Sequence, residues 1–160
     1  MNHDLREDQE YILNEITEQA KQECPDAVVI AGDIYDKAVP SAEAVEVFDQ
    51  FLEKLTEAVQ DAVIMMISGN HDSAPRVDCF RKVLSRQKVY MIGQPPRTEN
   101  EYIEKVTLKD AYGNVNFYLL PFVRPSVVKP VVGTDENGNN LSYDKTLHRL
   151  IEREEINSAE

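Results

Sequence analysis

Apolar side chains first recur at helical spacing, with Ile12, Leu13, Ile16 and Ala20 on one stripe of a segment from Arg6 to about Glu23. Pro25 cannot sit inside a helix, so the element stops before it. The pattern then tightens into Ala27-Val-Val-Ile-Ala31, a continuous run rich in β-branched residues, which predicts a parallel strand covered on both faces. After a loop to Pro40, Ser41 has the character of an N-cap, and Glu43 and Glu46 suit the positive end of a helix dipole. That helix is expected to reach about Val59, with Ala44, Val47, Phe48, Phe51, Leu52 and Leu55 on one face. A second strand (Ala62 to Ile67), a helix from about Val77 to Arg86 and a short strand (Val89 to Ile92) complete an α-β-α-β-α-β order. Such an order implies a layered α/β fold around a largely parallel sheet.

The period changes after that. Tyr102 to Leu108 alternates, Val115 to Leu120 is apolar, and Ala111-Tyr-Gly-Asn114 lies between them, which is the pattern of a β-hairpin. Pro121, Pro125 and Pro130 are expected to break whatever follows, and Gly133 to Asn140 reads as an exposed polar loop. Tyr143 to about Ile156 predicts a last helix before a polar tail. With 160 residues and 42% hydrophobic content, one core is expected. The whole chain, 1–160, is read as one partial domain.

Charge and cysteines narrow the function. Against 17 basic residues stand 29 acidic ones, a formal charge of −12 that argues against a general polyanion-binding surface. No apolar run is long enough to span a bilayer and the first ten residues are polar, so no membrane partner and a cytoplasmic location are expected. Cys24 and Cys79 are far apart, fit no zinc spacing and read as ordinary reduced thiols.

Candidate chemistry sits at two strand ends. In α/β sheets, ligands bind outside the carboxyl ends of the strands. The first strand delivers Gly32-Asp33-Ile-Tyr-Asp36, and the second Gly69-Asn70-His71-Asp72. A carboxylate can bridge two cations, an amide oxygen can ligate one, and an imidazole can ligate metal or act on substrate. Taken alone, a Gly-Asp after a strand is ordinarily a turn, and Asn-His-Asp a capping segment. Their occurrence at successive parallel strand ends points instead to convergence of Asp33, Asn70 and His71.

These two motifs resemble the second and third elements of the calcineurin-like metallophosphoesterases. Leu5 to Leu13, Pro25 to Lys37 with Pro40 and Ala42-Glu-Ala44, Gly69 to Ser73 with Arg76, and Leu119-Leu-Pro-Phe-Val123 are similar, within that group, to the SbcD-type exonucleases. The resemblance implies a metal-dependent phosphodiesterase of DNA repair, recombination and replication, with two divalent ions of the manganese kind. It further implies DNA as substrate, an SbcC-type ATPase partner and a homodimer. Asp33 would bridge the metals, Asn70 would ligate one, and His71 would be the catalytic acid or phosphate contact. Asp36 is given no direct metal role. Asp72 is expected to cap its loop with Arg76 as ion-pair partner, and Arg76 is a possible substrate contact.

The family's Asp-x-His element precedes the first helix, whereas this chain opens Met1-Asn-His-Asp-Leu5, with His3 and Asp4 in the wrong order and no preceding apolar strand. Two later histidine motifs would fall beyond Glu160, and His148 reads as a surface position on the last helix. The chain is therefore expected to be an incomplete metallophosphoesterase-like domain, truncated at both ends and, alone, poorly active. A small-substrate phosphatase or cyclic-nucleotide phosphodiesterase of the same superfamily, and a non-catalytic dimerisation or docking module, stay open as alternatives.

Overall fold

The computed structural model describes residues 5–154 and 156. His3 and Asp4 lie outside the described residues. Three parallel strands, β1 (Ala27–Ala31), β2 (Val63–Ile67) and β3 (Val89–Ile92), pair in the order β1-β2-β3, with Ala31 opposite Ile67 and Ile67 opposite Ile92. The carboxyl ends of all three strands are therefore level, and the loops leaving them share one rim.

Helices α1 (Arg6–Glu23) and α2 (Ala42–Ala58) pack together, and one face of the sheet meets α2. Phe51 and Leu55 of α2 meet Ile64 and Met66 of β2 and Val89 and Met91 of β3 in a continuous core. Fully burying such a side chain stabilises the fold by about 1.5–3 kcal/mol. The opposite face carries the hairpin β4 (Glu104–Lys109) and β5 (Asn114–Leu119), whose Val106 and Leu119 cluster with Val63, Met65 and Ile92. Asp110 closes the hairpin, its carboxylate accepting from the amides of Tyr112 and Gly113 at 2.7 and 2.9 Å. A third cluster joins α5 (Pro125–Val132) to α6 (Tyr143–Glu152) through Val128, Val132, Leu141 and Leu150. No helix among the described residues is long and apolar enough to cross a membrane.

Several expectations are corrected. Helix α1 turns Leu13, Thr17 and Ala20 inward and leaves Ile12 54% and Ile16 43% exposed. Its packing partner is α2, and Ile12 and Ile16 turn away from that contact. Strand β1 is covered along one face and, on the other, only at Ala27, which packs against the hairpin-side cluster. Val28 and Ile30 join the core under the helices, but Val29 is 53% exposed, because β1 is an edge strand that the hairpin does not reach there. The helix expected from 77 to 86 is broken into α3 (Ala74–Val77), α4 (Arg81–Leu84) and a 3-10 turn (Ser85–Gln87). Phe80, at a φ of 63°, makes the break, and the Asp78 carboxylate leaves the helix axis to accept from the Gly93 amide at 2.9 Å.

The prolines do not abolish helix after the hairpin. Pro125 sits at the start of α5, where a missing N–H costs nothing, and burial of Val128 and Val132 carries the helix past Pro130. Between α5 and α6 the polar loop is organised by Asp135, whose Oδ1 accepts from the amides of Asn137 and Asn139 at 2.9 and 2.7 Å. The Asn139 amide, then that of Asn137, hold the Asp135 carboxyl below its ordinary pKa. A depressed folded pKa gives stability that is present above the unfolded value and lost as pH falls through the folded one. The amide resonances of Asn137 and Asn139 are therefore expected to move towards random-coil positions only below the ordinary aspartate pKa. Movement near neutral pH would show that Asp135 does not hold the loop.

Candidate active site

Two tight turns interlock at the common rim. Gly32 continues the β1 ladder by donating to the Ile67 carbonyl at 3.1 Å, then turns the chain at a φ of 90°. Asp33 follows at a φ of 47°, a left-handed conformation that aspartate tolerates better than most residues. From there its Oδ1 accepts from the backbone amide of His71 at 3.2 Å. The approach is close enough to exclude a side chain at position 69: a Cβ there would lie 2.1 Å from Asp33 Oδ1 and 2.3 Å from the Asp33 nitrogen. Glycine at 69 is thus a packing requirement of the aspartate.

A second clasp comes from Asp72. Its Oδ2 accepts from Ile34 at 3.0 Å and Gly69 at 2.8 Å, and its Oδ1 from Tyr35 at 2.8 Å. One carboxylate therefore ties the loop after β1 to the loop after β2. The expected pairing with Arg76 does not form: Arg76 is exposed on α3, and no ion pair joins it to Asp72 among the described residues. Three backbone donors already occupy the carboxylate. The base of the second loop is fixed by Ser68, which is buried, donates its amide to the Ile92 carbonyl at 3.0 Å and its hydroxyl to the Gly93 carbonyl at 2.8 Å.

Asp33, Asn70 and His71 thus share one rim, and all three are exposed. Asp36 is exposed a turn further along the first loop, facing a cavity of about 630 Å³ that reaches down to Leu13, Phe48 and Phe51. Tyr35 lines the same cavity, its ring edge-on to Phe48 at 5.5 Å. Burial, then the charges of Asp72 and Asp49, push its phenol pKa up, so it stays protonated. His148 is remote from the rim: exposed on α6, its Nδ1 lies 2.9 Å from the Asp144 carbonyl. That carbonyl first, and the Asp144 charge second, raise its pKa.

Among the described residues the rim offers part of a metal centre. One carboxylate, one amide and one imidazole are of the right chemical kinds for divalent ions, yet among the described residues no three His, Cys, Asp or Glu side chains gather as a metal-holding group. Two neighbours of the rim escape sequence reasoning. Phe122 donates its amide to the Ser68 carbonyl at 2.9 Å, and Arg124 lines a pocket with Gly69, Asn70 and Asp72. The segment Leu119 to Val123 carries a resemblance, but the arginine after it has no motif to mark it.

The chain is similar in sequence to known proteins. The chain is 33% identical over 161 residues to the SbcD component of the SbcCD nuclease of Staphylococcus saprophyticus, a match covering 96% of this chain and 39% of that protein. It is 36% identical over 149 residues to the protein of the same name from Staphylococcus epidermidis, covering 93% of this chain and 37% of the relative. The chain thus spans about two fifths of the length of these relatives. With residues 2–155 matching the calcineurin-like phosphoesterases, and two glycine turns locking Asp33 against the Asn70-His71 loop, the chain belongs to the calcineurin-like phosphoesterase family.

Proposed function

We propose that this chain supplies one wall of the active site of an SbcD-type nuclease, which hydrolyses phosphodiester bonds in DNA. The observation that carries this is the contact of Asp33 with Gly69 and His71 at successive parallel strand ends. In this role Asp33 and Asn70 would hold divalent ions through a carboxylate and an amide oxygen, and His71 would present its imidazole to the phosphate or the leaving oxygen. Divalent ions of the manganese kind, when bound, would supply charge neutralisation on the phosphate and lower the pKa of water. Asp36 and Arg76 stand outside the ligand set, and Asp72 acts by holding the two loops together.

The overall acidity is not uniform. Between 76 and 88 the chain carries Arg76, Arg81, Lys82, Arg86 and Lys88 against the single acid Asp78. Arg76, Lys82 and Arg86 are exposed, beginning four residues after the Asn70-His71 loop, while Lys88 is exposed at the amino end of β3, away from the rim. This local excess of cations supports a DNA substrate over a small aryl phosphate. The same proposal includes an SbcC-type ATPase as partner and self-association. Light scattering that gives a monomer mass at every concentration would remove the latter.

Two experiments test the core of it. The chain alone is expected to take up manganese weakly and to degrade linear duplex DNA poorly. Tight binding of two ions per chain in a calorimetric titration would overturn that. In the longer protein of which the chain is proposed to be part, Asp33→Asn should lower manganese-dependent DNA hydrolysis by about 100-fold. An unchanged rate, or a preference for aryl phosphate over DNA, would count against the nuclease.

A further inference from the structure

We infer that Arg124 and Phe122 form a nucleotide-binding wall in the pocket they share with the Asn70 loop, the guanidinium taking a phosphate and the ring lying beside a base. The inference deepens the nuclease proposal and rests on it for the identity of the substrate.

A pocket of about 260 Å³ is lined by Gly69, Asn70 and Asp72 together with Phe122, Arg124 and Val127. The segment 122–127 is held firmly. The Phe122 amide donates to the Ser68 carbonyl at 2.9 Å, Val123 is buried, and Pro125 begins α5, so the backbone of Arg124 is fixed on both sides. Its side chain is exposed and, among the described residues, makes no ion pair and no hydrogen bond. The nearest acid on the pocket wall, Asp72, has its carboxylate occupied by three backbone amides and does not reach across to neutralise it.

A fixed backbone carrying a guanidinium with no protein partner suits an anion with paired oxygens, which a phosphate supplies. Phe122 adds the second half of the ligand's description. It is 37% exposed and tilted at 38° to Tyr143, 6.4 Å away, so the ring has an aromatic neighbour and still offers apolar surface to a ligand. An anion beside an exposed aromatic face and the apolar rim of Val127 fits a nucleotide unit of single-stranded DNA better than a bare phosphate.

The test is a nuclear magnetic resonance titration of the metal-free chain with thymidine 5′-monophosphate and, separately, with inorganic phosphate. Thymidine 5′-monophosphate is expected to shift the amides of Gly69, Asn70, Phe122 and Val127 and the Arg124 Nε–H signal. Arg124→Gln should weaken its binding by about tenfold, Arg124→Lys should restore part of the loss, and Phe122→Leu should weaken the nucleotide while sparing inorganic phosphate. Equal affinity in Arg124→Gln, shifts confined to another surface, or no saturable shift at all would each overturn the inference. No turnover is measured, so failure here is distinct from failure of the hydrolytic role, which the Asp33→Asn rates decide.

Discussion

Asp72→Ala is expected to destabilise the chain by about 3 kcal/mol and to release the loop after β1 from the loop after β2. Its carboxylate is the acceptor for the amides of Ile34, Tyr35 and Gly69, at 3.0, 2.8 and 2.8 Å. A hydrogen bond to a charged group contributes roughly 1.5–3 kcal/mol, and an abandoned donor costs about 1–3 kcal/mol when buried. The three together stay near 3 kcal/mol because the site is only part-buried and water can replace some of the loss. Denaturant unfolding measures it. The same variant should raise amide hydrogen exchange at Ile34 and Tyr35 above that at β2. A loss under 1 kcal/mol, with exchange unchanged at those amides, would show that the clasp is incidental.

Gly69→Ala should have a comparable effect by a different route. The added Cβ would meet the Asp33 carboxylate at 2.1 Å and the Asp33 backbone nitrogen at 2.3 Å. A flexible tip can swing away, but a backbone nitrogen moves only with its whole turn. Overpacking of this kind costs about 1–3 kcal/mol. The upper end applies because the Asp33 nitrogen belongs to a turn that the Gly32 amide ties to the Ile67 carbonyl at 3.1 Å. The distinguishing readout is positional. Nuclear magnetic resonance should show Asp33 and His71 losing their mutual contact while α2 and the core under it stay in place. Retention of the Asp33–His71 contact at wild-type stability would mean the two turns are looser than their spacing indicates.

These two residues show what a sequence can and cannot reveal. The Gly-Asp and Gly-Asn-His-Asp segments were legible because strand ends and turn residues leave local marks. Strand β1 was legible from its β-branched run, the hairpin from its change of period, and the start of α2 from Ser41, whose hydroxyl accepts from the Ala44 amide at 3.2 Å. The clasp formed by Asp72 was not legible, because two of its amide partners are 37 and 38 residues away and any amide can serve. Sequence proximity suggested Arg76 instead.

The same limit applies at larger scale. The inward face of α1 depends on what lies beside it, and Ile12 and Ile16 are as apolar as Leu13. The break at Phe80 depends on Asp78 reaching Gly93 in a loop beyond β3. Helix α5 was hidden by its prolines, since local propensity speaks against it and only the burial of Val128 and Val132 speaks for it. Arg124 follows from that helix. It lines one pocket with Asn70 because α5 begins just after the segment that returns from the hairpin to Ser68.

The open flank of β1 bears on how the rim could grow. Backbone donors and acceptors along 27–31 that do not face β2 are unpaired by any strand among the described residues, and the strand they belong to terminates at the Asp33 turn. Polypeptide annealing there in parallel would finish level with that turn and set its terminal side chains next to the aspartate. Widening the sheet on that flank would in the same step lengthen the rim on the aspartate's side.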